Sequence, residues 1–197
     1  MSYVRTHTGR SVSLVDPDPQ TIDIRDIACS LSRINRFSGA TRLPINVADH
    51  SLNVVRLLSL RRAPASIQML GLLHDAHETY IGDITTPVRA ELAAACGDDI
   101  VWRMCQRLDQ AILASAGLSS GTRIPLRTLA FVSAADAAVF AAEWRDFMQG
   151  PCPSLVDPAP FAIKPRNADR SEEDFLWVFH RLRVEMGPVP EIPDMAF

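Results

Sequence analysis

From Thr21 to Met186 the apolar residues recur at three- and four-residue intervals, and glycine or proline interrupts the pattern at nearly every break. Strand-like alternation is confined to the first fifteen residues. A chain patterned this way must bury helical stripes against one another, so the reading is a single all-α domain, a helical bundle around one core. Helices are predicted over about 23–35, 47–62, 64–82, 85–97, 98–116, 126–148 and 171–186. Asp23 or Thr21 caps the first, Pro64 opens the third, and Ser171 with Glu172–Asp174 begins the last. Residues 1–20 read as an extended arm with turns, 21–148 as the helical core, and 149–197 as a proline-rich connection and a final helix. No repeat or heptad seam is present.

Composition narrows the function. The 197 residues are 47% hydrophobic and 22% charged, with a formal net charge of −3. That balance is globular, and it disfavours a nucleic-acid or membrane binder working through bulk charge. No apolar run approaches 18 residues, the length a spanning helix needs, and MSYVRTHTGRS has no apolar signal core. The four cysteines (Cys29, Cys96, Cys105, Cys152) form no CxxC pair. Reduced thiols in a cytoplasmic protein are the expectation.

Three polar groups interrupt apolar stripes. His50 shares a face with Val54, Leu57 and Leu58; His74 shares one with Ile67, Leu70 and Gly71; Asp136 shares one with Leu129, Val132 and Phe140. A core histidine is often no more than that, and Asp136 could pair with an arginine. A lone buried carboxylate is nevertheless costly and calls for a cation, a metal or donors. With Asp75 beside His74, two histidines and two aspartates have the types for one divalent transition ion: manganese, cobalt, nickel, zinc or iron. The absence of sulfur ligands argues against structural zinc. No HExxH, GxSxG or phosphate-loop motif competes.

The stretch LLHDAHETYIGD (Leu72–Asp83) resembles the HD-domain phosphohydrolase superfamily, whose signature is H…HD…D. Together with INRFSGATR (Ile34–Arg42), VADHSLNV (Val47–Val54) and SAADAAVFAAEW (Ser133–Trp144), it is similar to the branch holding the bacterial 5′-deoxynucleotidases and phage deoxynucleotide triphosphohydrolases. The resemblance covers most of Thr21–Phe147. It implies a helical bundle of the HD-domain type with His50, His74, Asp75 and Asp136 as metal ligands, and Glu78 as the catalytic residue beside the attacking water. It further implies that Arg36 and Phe37 line the substrate cleft and Asp83 the sugar end. Phe37 stands where the deoxynucleotidases often carry tryptophan. His77 receives no role.

The residues support those roles on their own terms. On an ideal helix His74, Asp75 and Glu78 fall within about 100° of arc and share one cavity, with His77 about 60° to the other side. The Gly82-Asp83 helix end followed by Thr85-Thr86-Pro87 sets free N–H groups and the Thr86 hydroxyl near that cavity, or serves simply as a helix cap. The expected activity is hydrolysis of a (deoxy)nucleotide, of the 5′-nucleotidase or deoxynucleoside-triphosphate type. The expected partners are a small-molecule nucleotide and further copies of the chain in a homo-oligomer, with no stable nucleic-acid or membrane binding. The alternative is a catalytically silent nucleotide- or metal-binding regulatory domain, which would be expected to carry a damaged signature. Other HD chemistries need more histidine ligands than this chain offers.

Overall fold

A computed structural model describes residues 2–118, 124–188 and 190–195. The arm is two extended segments joined by a turn and folded back on each other. Its strands β1 (Tyr3–Arg5) and β2 (Ser11–Ser13) pair antiparallel, with Val4 opposite Val12. Val12 is fully buried, and Thr8 donates its N–H and hydroxyl to the Asp26 carboxylate at 2.6 and 2.8 Å. One buried valine and two tethering bonds are enough to dock the arm on the first helix.

That helix, α1 (Ile24–Leu31), is capped by Asp23, which accepts the N–H of Arg25, and it stops four residues earlier than predicted. α2 (Val47–Leu60) begins at Asn46, whose side chain accepts the N–H of Asp49. α3 (Ala65–Leu73) follows Pro64. The single helix expected over 64–82 is in fact two: α3 ends at Leu73, and α4 (Glu78–Ile81) starts afresh. From the end of α3 into α4, Ala76, Glu78, Thr79 and Tyr80 each donate to the carbonyl three residues back. This tighter winding has three residues per turn rather than 3.6.

α5 (Thr86–Cys96) ends at Gly97, whose φ of +67° is the left-handed cap glycine adopts freely. α6 (Ile100–Ser115) and α7 (Leu126–Phe147) follow as predicted; the loop expected between them lies in part outside the described residues, at 119–123. α8 (Ala168–Met186) starts one turn before the expected Ser171, because Asn167 is the cap and accepts the N–H of Arg170. Ser171 is instead fully buried and accepts from Nδ2 of Asn46 at 3.0 Å.

α2 is the central helix, flanked by α3, α7 and α8, and α8 also crosses α1 and α3. Ile67, Met69 and Leu72 of α3, Leu58 of α2, and Phe175 and Leu182 of α8 are completely buried in the shared core. The proline-rich connection returns along α7 and α2. Ala159 donates to the Ala138 carbonyl at 2.8 Å, and Arg166 pairs with the buried Asp49 next to His50. The predicted stripe of Asp136 is only partly interior, since Leu129 is 46% exposed. Among the described residues no helix is long and apolar enough to cross a membrane.

Candidate metal centre

Three core helices meet at four side chains. His50 lies in the first turn of α2, His74 caps the end of α3 with Asp75 next to it, and Asp136 sits mid-way along α7. His50 Nε2 is 3.0 Å from Asp136 Oδ1 and 3.9 Å from Asp75 Oδ2. His74 Nε2 is 3.1 Å from Asp75 Oδ2 and 3.7 Å from Asp136 Oδ1. An ion held at bond lengths of about 2.0–2.2 Å separates neighbouring donors by roughly 3–3.6 Å, and the donor atoms of His50, His74 and Asp136 all lie within 4.8 Å of one another, with Asp75 against His74.

Both imidazoles present the correct nitrogen. Nδ1 of His50 lies 2.9 Å from Glu143 Oε1, and Nδ1 of His74 lies 2.8 Å from the Gly71 carbonyl. A carboxylate and a carbonyl only accept, so each Nδ1 carries a hydrogen, and each Nε2 faces a carboxylate across the centre, His50 to Asp136 at 3.0 Å and His74 to Asp75 at 3.1 Å, where a bound ion would take the place of a shared proton. His74 Nε2 is buried and makes no hydrogen bond. A buried, unsatisfied acceptor among three other convergent donors fits a divalent cation, and the two-nitrogen, two-oxygen set suits a first-row transition ion.

Of the expected substrate residues, Arg36, Phe37 and Asp83 stand close by, though differently engaged. Arg36 is buried: its Nε donates to Glu143 Oε2 at 3.0 Å, and one terminal nitrogen is 3.5 Å from Asp75 Oδ2. Burial works against its charge, but Glu143 and then Asp75 more than compensate and hold the guanidinium ionised. Phe37, in the left-handed region at φ 55°, places its ring 5.5 Å from Phe140 and 6.0 Å from Trp144 on α7. Burial raises the carboxyl of Asp83, opposed by the charge of Arg36. Thr86 is the exposed first residue of α5, and its neighbour Thr85 makes no side-chain cap.

Glu78 is 9% exposed, and its Oε2 has no partner. Burial, followed by the charges of Asp75 and Asp83, pushes its carboxyl up to about 8. The three-residue winding of the 74–80 segment brings it there: at about 120° per residue Asp75 and Glu78 eclipse, closer than an α-helix would set them. Asp75, His77 and Glu78 consequently have donor atoms within 4.8 Å of one another. His77 turns to α6, where its Nδ1 meets Asp109 Oδ1 at 2.9 Å.

Glu143 is the one site residue that sequence reasoning missed. It is fully buried and bridges His50 to Arg36. Its signal was its place seven residues after Asp136, two helical turns along the same face of α7.

The sequence matches no protein-family model. It is 36% identical over 132 residues to an uncharacterized protein of Rhodobacter capsulatus, the match covering 64% of this chain and 64% of that protein. It is 31% identical over 146 residues to the uncharacterized protein YfdR of Escherichia coli K12, covering 74% of this chain and 72% of YfdR. The chain belongs to the family of YfdR. Among solved structures it is similar to the Cyanophage S-2L HD phosphohydrolase DatZ bound to dA and one catalytic Zn2+ ion. That likeness has a TM-score of 0.43 and 16% identity over 80% of this chain and 95% of that one.

Proposed function

We propose that this member of the YfdR family is a metal-dependent phosphohydrolase acting on (deoxy)nucleotides. The observation that carries the reading is the convergence of His50, His74 and Asp136 around the unsatisfied Nε2 of His74, with Asp75 3.1 Å from that nitrogen and a carboxyl of raised pKa alongside. A divalent ion bound there would supply a Lewis acid for a phosphate oxygen and lower the pKa of a water towards ~7. The chain supplies the remainder. Glu78, near neutrality in its proton affinity, takes the proton of the attacking water and can return it to the leaving oxygen. Arg36, fixed by Glu143, offers a cation that needs no reorganisation when phosphate charge arrives. Phe37 and Asp83 flank Arg36 at the sugar side, and Thr86 offers a hydroxyl at the start of α5.

The test is turnover of nucleoside mono-, di- and triphosphates with manganese, cobalt, nickel, zinc and magnesium, with phosphate, pyrophosphate and triphosphate products separated. Hydrolysis that depends on one of these ions and disappears in Asp136→Ala is the expected result. Tight metal binding without turnover of any nucleotide would replace this reading with that of a silent binding domain.

A further inference from the structure

Glu78 is placed by the backbone that carries it. Its buried Oε2 meets no partner, so no hydrogen bond at that atom aims the carboxyl. α4 is only Glu78–Ile81, packed on α1, and one turn of helix does not hold its own orientation. The turn ahead of it is held from two sides. On one side Asp75 Oδ2 lies 3.5 Å from a terminal nitrogen of Arg36. On the other His77, the residue before Glu78, brings its Nδ1 to within 2.9 Å of Asp109 Oδ1 on α6. Cys105, buried one turn earlier on α6, also acts on the imidazole, so one face of α6 seats the ring. The His77 and Asp109 side chains are only 16% and 26% exposed, and a shielded hydrogen bond to a carboxylate is strong and directional.

We infer that Asp109 is a positioning residue for Glu78: through His77 it fixes the start of α4, and with it the direction of the Glu78 carboxyl towards Asp75 and the centre. The inference rests on the hydrolase reading above, in which Glu78 handles the attacking water. Among the described residues the Asp109 carboxylate makes its hydrogen bond to His77 and to none of the candidate metal ligands. Its loss therefore acts on the geometry of Glu78 and spares the ion.

Misplacing a reacting group by about 1 Å costs up to about a hundredfold, so Asp109→Ala should lower kcat by roughly 10–100-fold. KM and metal affinity should stay within about threefold of the parent, the mark of a contribution made in the transition state. Asp109→Asn, whose amide oxygen still accepts the Nδ1 hydrogen, should recover most of the loss. In a Glu78→Ala background Asp109→Ala should cost nothing further, because the group it positions is gone. A second readout needs no turnover. In the metal-free protein, hydrogen exchange of the 78–80 amides should quicken in Asp109→Ala and keep the parental rate in Asp109→Asn. An unchanged kcat in Asp109→Ala overturns the inference. So does a loss shared equally by metal affinity, or one that persists undiminished without Glu78, since either makes the pair general scaffolding. If the parent hydrolyses no nucleotide, the hydrolase reading fails by itself. The exchange comparison then still decides whether Asp109 holds the turn: faster exchange in Asp109→Ala supports it, and equal exchange ends it.

Discussion

Glu143 holds two side chains at once, Nδ1 of His50 at 2.9 Å and Nε of Arg36 at 3.0 Å. A glutamine of the same shape can accept one of these hydrogens but not both, because its second terminal atom is itself a donor. Glu143→Gln should therefore weaken metal binding roughly 10–100-fold, the usual cost of disturbing a histidine ligand's outer partner. Competition against a chelator of known affinity measures this, and an unchanged affinity would confine Glu143 to packing. Glu78 has the opposite signature. It binds no cation and no donor through Oε2, so Glu78→Ala should leave metal content intact while lowering kcat by roughly 10²–10⁴-fold. Full turnover in that variant would remove Glu78 from proton transfer.

Between helices, Gly71 decides how closely α3 approaches α2. A Cβ there would overlap Leu58 Cδ1 and come within 3.2 Å of Val54 Cγ1, both on side chains with no exposure. Alanine gains about 1 kcal/mol of helix propensity over glycine, and overpacking costs about 1–3 kcal/mol. Packing wins: Gly71→Ala should lose about 1 kcal/mol in urea unfolding. It should also weaken metal binding, since the Gly71 carbonyl orients His74. At the start of α1, Asp23 is held at about 2, below its ordinary 3.8, chiefly by the side chain of Arg25, with Arg10 also contributing. Lowering a folded-state carboxyl pKa adds stability that is complete above pH ~4 and disappears as pH falls through ~2. Both arginines are exposed, at 65% and 40%, so solvent screening trims the effect to about 1 kcal/mol. Asp23→Asn keeps the cap acceptor and should lose that pH-dependent part, seen as a shallower fall in stability between pH 5 and pH 2.

The elements bounded by backbone chemistry were readable in the sequence. Asp23 at α1, Pro64 at α3 and Gly97 after α5 each act through their own atoms or fixed torsions. The break at His74–His77 was not, because HDAH contains neither glycine nor proline and the apolar period runs on through it. The tighter winding there comes with contacts made from other helices, by Asp75 to Arg36 and by His77 to Asp109. Ser171 misled for a similar reason. It resembles a cap, yet Asn167 provides the cap and Asn46 of α2 takes up the serine hydroxyl. Glu143 sits in an alanine-rich run ahead of Trp144, where a glutamate reads as a solvated residue until its two partners are known.

For the molecule as a whole, the four candidate ligands come from α2, the α3–α4 turn and α7, which are far apart in sequence. An ion there is a cross-link that exists only in the folded state. Binding at 100 times the dissociation constant should add about 2.7 kcal/mol. Thermal unfolding should therefore shift upward with added zinc or manganese and downward with chelator, with the shift abolished in His50→Ala plus Asp136→Ala. An equal response in that double variant would place the ion elsewhere. Fold class could be read from periodicity, and the three stretches that carry the candidate ligands from residue type. The mutual distances that turn them into a site depend on helix packing, which no single stretch encodes.

The pairing of Arg36 with Glu143 and Asp75 has an electrical consequence. With His50 and His74 neutral, as ligands to an ion must be, Asp75, Asp136 and Glu143 count as ionised, Glu78 is raised towards its protonated form by burial, and Arg36 is the cation among them. The cluster carries two negative charges in excess, in a place where little water is available to screen them. A 2+ ion makes the centre neutral, a 1+ ion leaves it anionic, and a 3+ ion leaves a positive charge that nothing nearby balances. Valence thus enters the selection of the metal independently of radius or ligand softness, and an iron occupant would resist oxidation to the ferric state.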